Sequence, residues 1–222
     1  MRIDSCEFPD DLLYERDGLV WVRREDSGDL VMGITSMHAA LAGRLTKVRA
    51  RPVGGEFAAG RSIGFVESGR YFGPVRTPVR GILLAVNESV LATPKALSER
   101  PYTEGWFARL RPLEWQADRQ ALVPATEARD FLAAQLVSLH VHCFAAVPDH
   151  ELFEIGTECS AVLAKLDDTL AHAAEGEVVH LVSDDWTAPV EMVNWSQRTG
   201  YPILEDRKEG HLYHFLVRKT PR

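Results

Sequence analysis

The chain is short of lysine, of cysteine and of long apolar runs. Only Lys47, Lys95, Lys165, Lys208 and Lys219 stand among its 25 basic residues, which leaves 20 arginines. Its three cysteines, Cys6, Cys143 and Cys159, are odd in number and far apart, a pattern that fits a reducing compartment and not a disulfide framework. No segment approaches the ~20 consecutive apolar residues of a membrane span. The opening Met1–Cys6 has no apolar core of signal-peptide length, so a cytoplasmic protein without membrane contact is expected. Cys-x-x-Cys, the Walker loop, Gly-x-Gly-x-x-Gly and His-Glu-x-x-His are all missing, which removes the sequence signals of nucleotide-driven chemistry and of the common zinc sites. A net charge of −7 argues against nucleic acid as a partner, because general nucleic-acid binders carry a basic surplus.

What is present is ordinary for a globular protein. The 222 residues are 45% hydrophobic and 26% charged, enough for one large domain or two small ones. Residues 1–112 are rich in Gly, Val and turn residues. Leu19–Val22, Leu30–Ile34, Ile63–Val66 and Ile82–Val86 read as strands, and Pro78-Val79-Arg80-Gly81 as a tight turn before the last of them. One helix interrupts the strands: Ser36–Leu45, with Met37, Leu41 and Leu45 four apart. Residues 113–150 change character. Glu127–Val141 has a helical pattern through Phe131, Leu132, Leu136 and Leu139, and reads as a linker helix.

Residues 151–222 form a second small unit with the order β-α-β-α-β-β: Leu152–Ile155, Ser160–Ala174, Val178–Val182, Pro189–Thr199, Tyr201–Asp206 and Leu212–Arg218. The expected class is α+β: a β-rich domain over 1–112, a helical linker over 113–150, and a two-layer sandwich over 151–222.

The first half resembles the glycine cleavage system H protein, a lipoyl-carrier β-fold of hammerhead shape. The matching features run in order: Gly33-Ile34-Thr35 before the helix, Gly64-Phe65-Val66-Glu67-Ser68, Thr77-Pro78-Val79-Arg80-Gly81, Val86-Asn87-Glu88, Pro101-Tyr102 and Gly105-Trp106. The resemblance implies a hairpin whose tip carries lipoate on a lysine in a Glu-Ser-x-Lys context. Here that stretch is Glu67-Ser68-Gly69-Arg70. A guanidinium stays protonated and is a poor acylation nucleophile. Lipoate is therefore not expected, and by sequence distance no lysine lies near the hairpin. Arg70 reads either as a docking contact for an anion or carboxylate, with Tyr71 and Phe72 as apolar anchor, or as a solvated turn residue.

The second unit resembles the TusA/SirA-type sulfur-carrier family. The features that carry this are Gly156-x-x-Cys159, Gly176-Glu177, Asp184-Asp185, Trp195-x-x-x-Thr199-Gly200 and Tyr213-x-Phe215-Leu216-Val217-Arg218-Lys219. The resemblance implies that Cys159 accepts sulfur as a persulfide, supported by Gly156 and Ser160 in its loop. The family's Cys-Pro-x-Pro is here Cys159-Ser160-Ala161-Val162. Independently of the resemblance, a cysteine opening a helix gains thiolate character from unpaired N–H groups, with Glu158 acting against it. The other reading is a semi-buried thiol without chemistry.

Three further candidates are weaker. His140-x-His142-Cys143 has metal-ligand residue types, but two positions apart on a helix they face different ways and no fourth ligand follows; no metal is expected, and Cys143 reads as buried. His211 and His214 read as surface residues, and Trp186 and Trp195 as core or interface. The expected function is a sulfur carrier or sulfurtransferase-like protein with a non-lipoylated docking domain and protein partners, in place of a stand-alone catalyst. The alternative is an adaptor or regulator in which both domains have lost their chemistry.

Overall fold

The computed structural model describes residues 1–221; Arg222, the end of the expected second domain, lies outside the described residues. The chain divides into two compact units, Met1–Cys143 and Phe144–Arg222.

The first unit begins with a small pair, β1 (Arg2–Ile3) and β2 (Cys6–Glu7). Its main strands are β3 (Leu13–Glu15), β4 (Val20–Arg24), β5 (Leu30–Ile34), β6 (Leu45–Ala50), β7 (Glu56–Phe57), β8 (Ser62–Ser68), β9 (Phe72–Arg76), β10 (Gly81–Val86), β11 (Ala108–Pro112) and β12 (Leu122–Pro124). They form a seven-stranded antiparallel sheet in the order β12-β3-β4-β5-β11-β10-β7 and a three-stranded sheet β6-β8-β9.

Strand alternation explains why β5, Leu30-Val31-Met32-Gly33-Ile34, is apolar throughout. Leu30, Met32 and Ile34 join Val20 and Val22 in a core shared with Val48, Ile63, Val66 and Val75 of the smaller sheet. Val31 and Trp21 point to the opposite face, where they meet the helix Ala125–Ser138 through Ala125, Ala128, Leu132 and Leu136. The stretch expected as a linker helix is therefore the cover of a second core inside the first unit. Its alanines and leucines read as an isolated amphipathic helix because the sheet residues they cover come about a hundred positions earlier.

The cysteines also differ from expectation: Cys6 and Cys143 form a disulfide across a sequence separation of 137. Sequence distance misled because the final segment of the unit returns to the N-terminal turn. The helices of this unit are α1 (Ser36–Ala42), α2 (Glu88–Ala92), α3 (Lys95–Glu99), α4 (Trp115–Asp118) and α5 (Ala125–Ser138). Thr35 caps α1 by accepting from the His38 N–H, and Gly43, at φ 70°, ends it. Leu45, expected as its last helical residue, instead opens β6.

The second unit contains β13 (His150–Glu154), α6 (Cys159–His172), β14 (Val178–Ser183), α7 (Ala188–Thr199), β15 (Ile203–Glu209) and β16 (Leu212–Arg218). Its sheet order is β13-β14-β16-β15, with β13 and β14 parallel and the other pairs antiparallel. Val162, Leu166 and Leu170 form one stripe on α6; Ala188, Met192 and Trp195 form another on α7. Both stripes pack against Val179, Leu181, Phe215 and Val217. Gly200, at φ 79°, terminates α7 in the left-handed conformation. Among the described residues no helix is long and apolar enough to cross a membrane.

Candidate functional site

The hairpin of interest is β8–β9, closed by Gly69 and Arg70. The Ser68 N–H donates to the Tyr71 carbonyl at 2.8 Å, and the Ser68 hydroxyl accepts from the N–H groups of Arg70 and Tyr71. The same hydroxyl donates to the Ala42 carbonyl at 2.7 Å, which ties the tip to the C-terminal end of α1. Arg70 strengthens that tie: its Nη2 donates to the Ala40 carbonyl at 3.1 Å. A Cβ on Gly43 would sit 2.8 Å from Arg70 Nε, so the glycine makes room for the guanidinium. The last carbonyls of a helix lack internal partners and carry partial negative charge, so a cation is favoured there. Arg70 thus folds back on its own chain, a third arrangement beside the external contact and the solvated turn.

Lys47 lies directly opposite Glu67 across β6 and β8. Sequence distance places it far from the hairpin, whereas antiparallel register brings it alongside.

A cavity of about 200 Å³ opens beside β9, lined by Glu15, Asp17, Leu19, Val20, Tyr71, Pro74 and Arg76. Glu15 Oε2 is buried with no hydrogen-bond partner among the described residues. Burial first, then the charge and hydrogen bond of Asp17, push the Glu15 carboxyl up to about 8, with Arg76 opposing. The Tyr71 hydroxyl pairs with His38 Nε2 at 3.1 Å, and His38 Nδ1 meets the Leu19 carbonyl at 3.2 Å. Burial pushes His38 down to about 4, so the imidazole is neutral at physiological pH. Sequence reading missed Glu15, Asp17 and His38. The one available signal was a histidine three residues after the Thr35 cap, on a helix otherwise made of small and apolar residues.

In the second unit Cys159 is the first residue of α6, partly exposed and not part of a disulfide. Gly156 precedes it at φ 69° and donates its N–H to Asp184 Oδ1 at 2.8 Å. Ser160 is exposed, and no side chain caps the helix at Glu158. Asp185 accepts from the Thr187 N–H and hydroxyl, both at 2.8 Å; these bonds, with a smaller contribution from the Cys159 N–H, hold its carboxyl below the usual range.

That fixed charge also acts on the thiol. Burial, then Asp185 and Glu191, push Cys159 up from its ordinary value, and a hydrogen bond from Thr187 only partly offsets them. Partial burial and the two carboxylates act against the thiolate that the helix N-terminus favours.

The remaining candidates separate. His140 ends the α5 segment at φ 51°, His142 pairs with Asp4 at 2.6 Å, and Cys143 is in the disulfide. No group of three or more His, Cys, Asp or Glu among the described residues is placed to hold a metal. His214 is not an ordinary surface residue: it stacks on His180 with ring centroids 5.3 Å apart and shares a 3.0 Å nitrogen contact with it, while Phe144 covers both rings. Trp195 is fully buried, whereas Trp186 is 81% exposed, so it belongs to no core.

Comparison with known proteins places the first unit. The family model of the glycine cleavage H-protein matches residues 12–135. Glycine cleavage system H protein 5 of Aquifex aeolicus is 32% identical over 146 residues, 64% of this chain and 98% of that protein. A probable glycine cleavage system H protein 3 of Saccharolobus solfataricus is 37% identical over 128 residues, 57% of this chain and 90% of that protein. A crystal structure of a glycine cleavage system H protein from Mycobacterium marinum is similar at 25% identity and a TM-score of 0.48, covering 60% of this chain and all of the other. The matched span runs from β3 through most of α5 and contains the β8–β9 hairpin; the chain belongs to the glycine cleavage H-protein family.

Proposed function

We propose that this H-protein family member is a docking and carrier protein whose transferable group rides on Cys159 and not on the hairpin. The family supports a carrier or docking role for the first unit. Arg70 stands where the resemblance puts the lipoyl lysine, and its guanidinium is engaged with the Ala40 carbonyl, so lipoate has no amine at the tip. The observation that carries the reading is Cys159 itself: a partly exposed free thiol at the first turn of α6, in a chain whose other two cysteines are joined.

The step is a sulfur transfer without net redox change. The Cys159 thiolate attacks the terminal sulfur of a donor persulfide. A new S–S bond forms at Cys159, the donor's S–S bond breaks, and the donor leaves as a thiolate. Because Asp185 and Glu191 disfavour the thiolate, a partner that brings positive charge to this end of the unit would activate it. The test is intact mass after incubation with a persulfide donor. An adduct of about 32 Da that a reductant removes, and that Cys159→Ala lacks, supports the carrier. No adduct under conditions that load a known sulfur carrier rejects it.

Two observations favour a second reading. The raised thiol, together with the tied-down Arg70, fits an adaptor that keeps both binding surfaces without group transfer. The absence of any adduct would leave that reading standing.

A further inference from the structure

The outer face of the β6-β8-β9 sheet is built from two cross-strand rows. One row is Lys47, Glu67 and Phe72; the other is Arg49, Phe65 and Pro74. Side chains directly opposite one another in antiparallel strands share a face, so these residues form one surface. Phe65 and Phe72 stack at 5.5 Å with planes 10° apart, and the Arg51 guanidinium lies over Phe65 at 5.9 Å. Phe72 is 67% exposed.

The charges on this face are mostly of one sign. On the larger sheet Arg109 pairs with Glu25 and Arg111 with Asp29, whereas Arg23 and Arg24 lie over the rings of Trp21 and Trp115. None of Lys47, Arg49 and Arg51 makes an ion pair within the described residues, and Glu67 is the single carboxylate in the two rows.

We infer that this face docks an acidic protein surface, carboxylates meeting Lys47, Arg49 and Arg51 along one edge and an apolar recess receiving Phe72 at the other. The inference deepens the docking half of the proposed function and is independent of Cys159. An exposed aromatic on one edge of a face and a row of cations along the other give an interface both energy and steering. Protein is favoured over single-stranded nucleic acid because bases stack on open ring faces, whereas Phe65 and Phe72 already stack on each other.

The test uses the full chain and an amphipathic helical peptide of glutamate and leucine, with a lysine–leucine peptide and oligothymidylate as comparators, read by NMR shifts and by titration. The acidic peptide is expected to shift Phe65, Phe72 and Arg49 resonances. Its binding should weaken about tenfold in Phe72→Ser or Arg49→Glu and fall with added salt. Both positions are exposed, and unchanged melting of the variants verifies the fold. Four results overturn the inference: no binding, equal binding of the lysine peptide, tighter binding of oligothymidylate, or a self-association that the same substitutions abolish. None of these touches the mass test at Cys159.

Discussion

The two units of this chain solve different problems with the same alphabet. Met1–Cys143 holds 18 acidic and 18 basic residues, whereas Phe144–Arg222 holds 14 acidic and 7 basic, so the entire net charge of −7 resides in the second. The first unit buries both faces of its central strands, in two cores, and clamps its ends with a disulfide. The second builds one core from two helices against a four-stranded sheet and keeps its cysteine free. The first presents a tip whose cation is spent on its own helix, the second a thiol whose neighbours are anions. Charge and covalent closure therefore separate the two more sharply than secondary structure does.

The largest effect expected from breaking this contrast is at the disulfide. A cross-link closing a loop of this length removes unfolded-state entropy worth about 4–5 kcal/mol in the chain-entropy model. Cys6→Ser with Cys143→Ser should lower the melting of the first unit accordingly and leave the second where it was; calorimetry of the full chain with and without reductant checks this. A single shared transition that moves as one would erase the distinction. Next comes Trp195, fully buried, with its Nε1 donating to Asp167 Oδ1 at 2.9 Å. Trp195→Ala should cost about 3–5 kcal/mol, confined to the second unit, and hydrogen exchange resolved by segment would show protection lost in that unit and kept in the first.

Smaller, and specific to the first unit, is the pH response of its cavity. His38, pushed down to about 4, contributes stability above pH ~6.5 that is lost as pH falls toward 4. Glu15, pushed up to about 8, acts in the opposite sense: its contribution is full below pH ~4.5 and is lost as pH rises toward 8. Glu15→Gln removes only the second. The variant should gain on the parent progressively between these limits, reaching about 1–3 kcal/mol after allowance for partial exposure. Chemical denaturation at a series of pH values measures it, and a difference that does not change with pH would show that Glu15 ionises normally.

Local patterns made most of the elements legible. The strands Leu30–Ile34 and Leu212–Arg218 stand where alternation and turn residues put them, and the start of α1 at Ser36 follows from the Thr35 cap. What stayed hidden required non-local knowledge. Cys6 could not be joined to Cys143 without knowing that α5 returns the chain to its beginning. Lys47 could not be placed beside Glu67 without the register of β6 on β8. Arg70 was legible as a missing amine, but not as a cap on α1, because that role depends on where the hairpin tip lands. At Cys159 the sequence showed the helix start and named Glu158 as the opposing charge, but missed Asp185 and Glu191, which come from the β14–α7 loop and the first turn of α7.

The finest test of the comparison is at that thiol. If acidic surroundings are what set the second unit apart, removing them should change the chemistry of Cys159 without changing its place. Asp185→Asn retains an oxygen to accept from Thr187 and removes the charge; Glu191→Gln removes the other charge from an exposed helical position. Each should lower the thiol's pKa and speed alkylation at neutral pH by roughly two- to fivefold, with the double variant faster than either. Added salt should narrow the gap to the parent, since both carboxylates are accessible to counterions. Rates measured across pH with a neutral reagent separate the two possible causes. A shift of the profile along the pH axis marks an electrostatic effect. A uniform rise at every pH marks mere unmasking of the sulfur, and would mean that burial alone, the largest cause of the raised thiol, governs its reactivity.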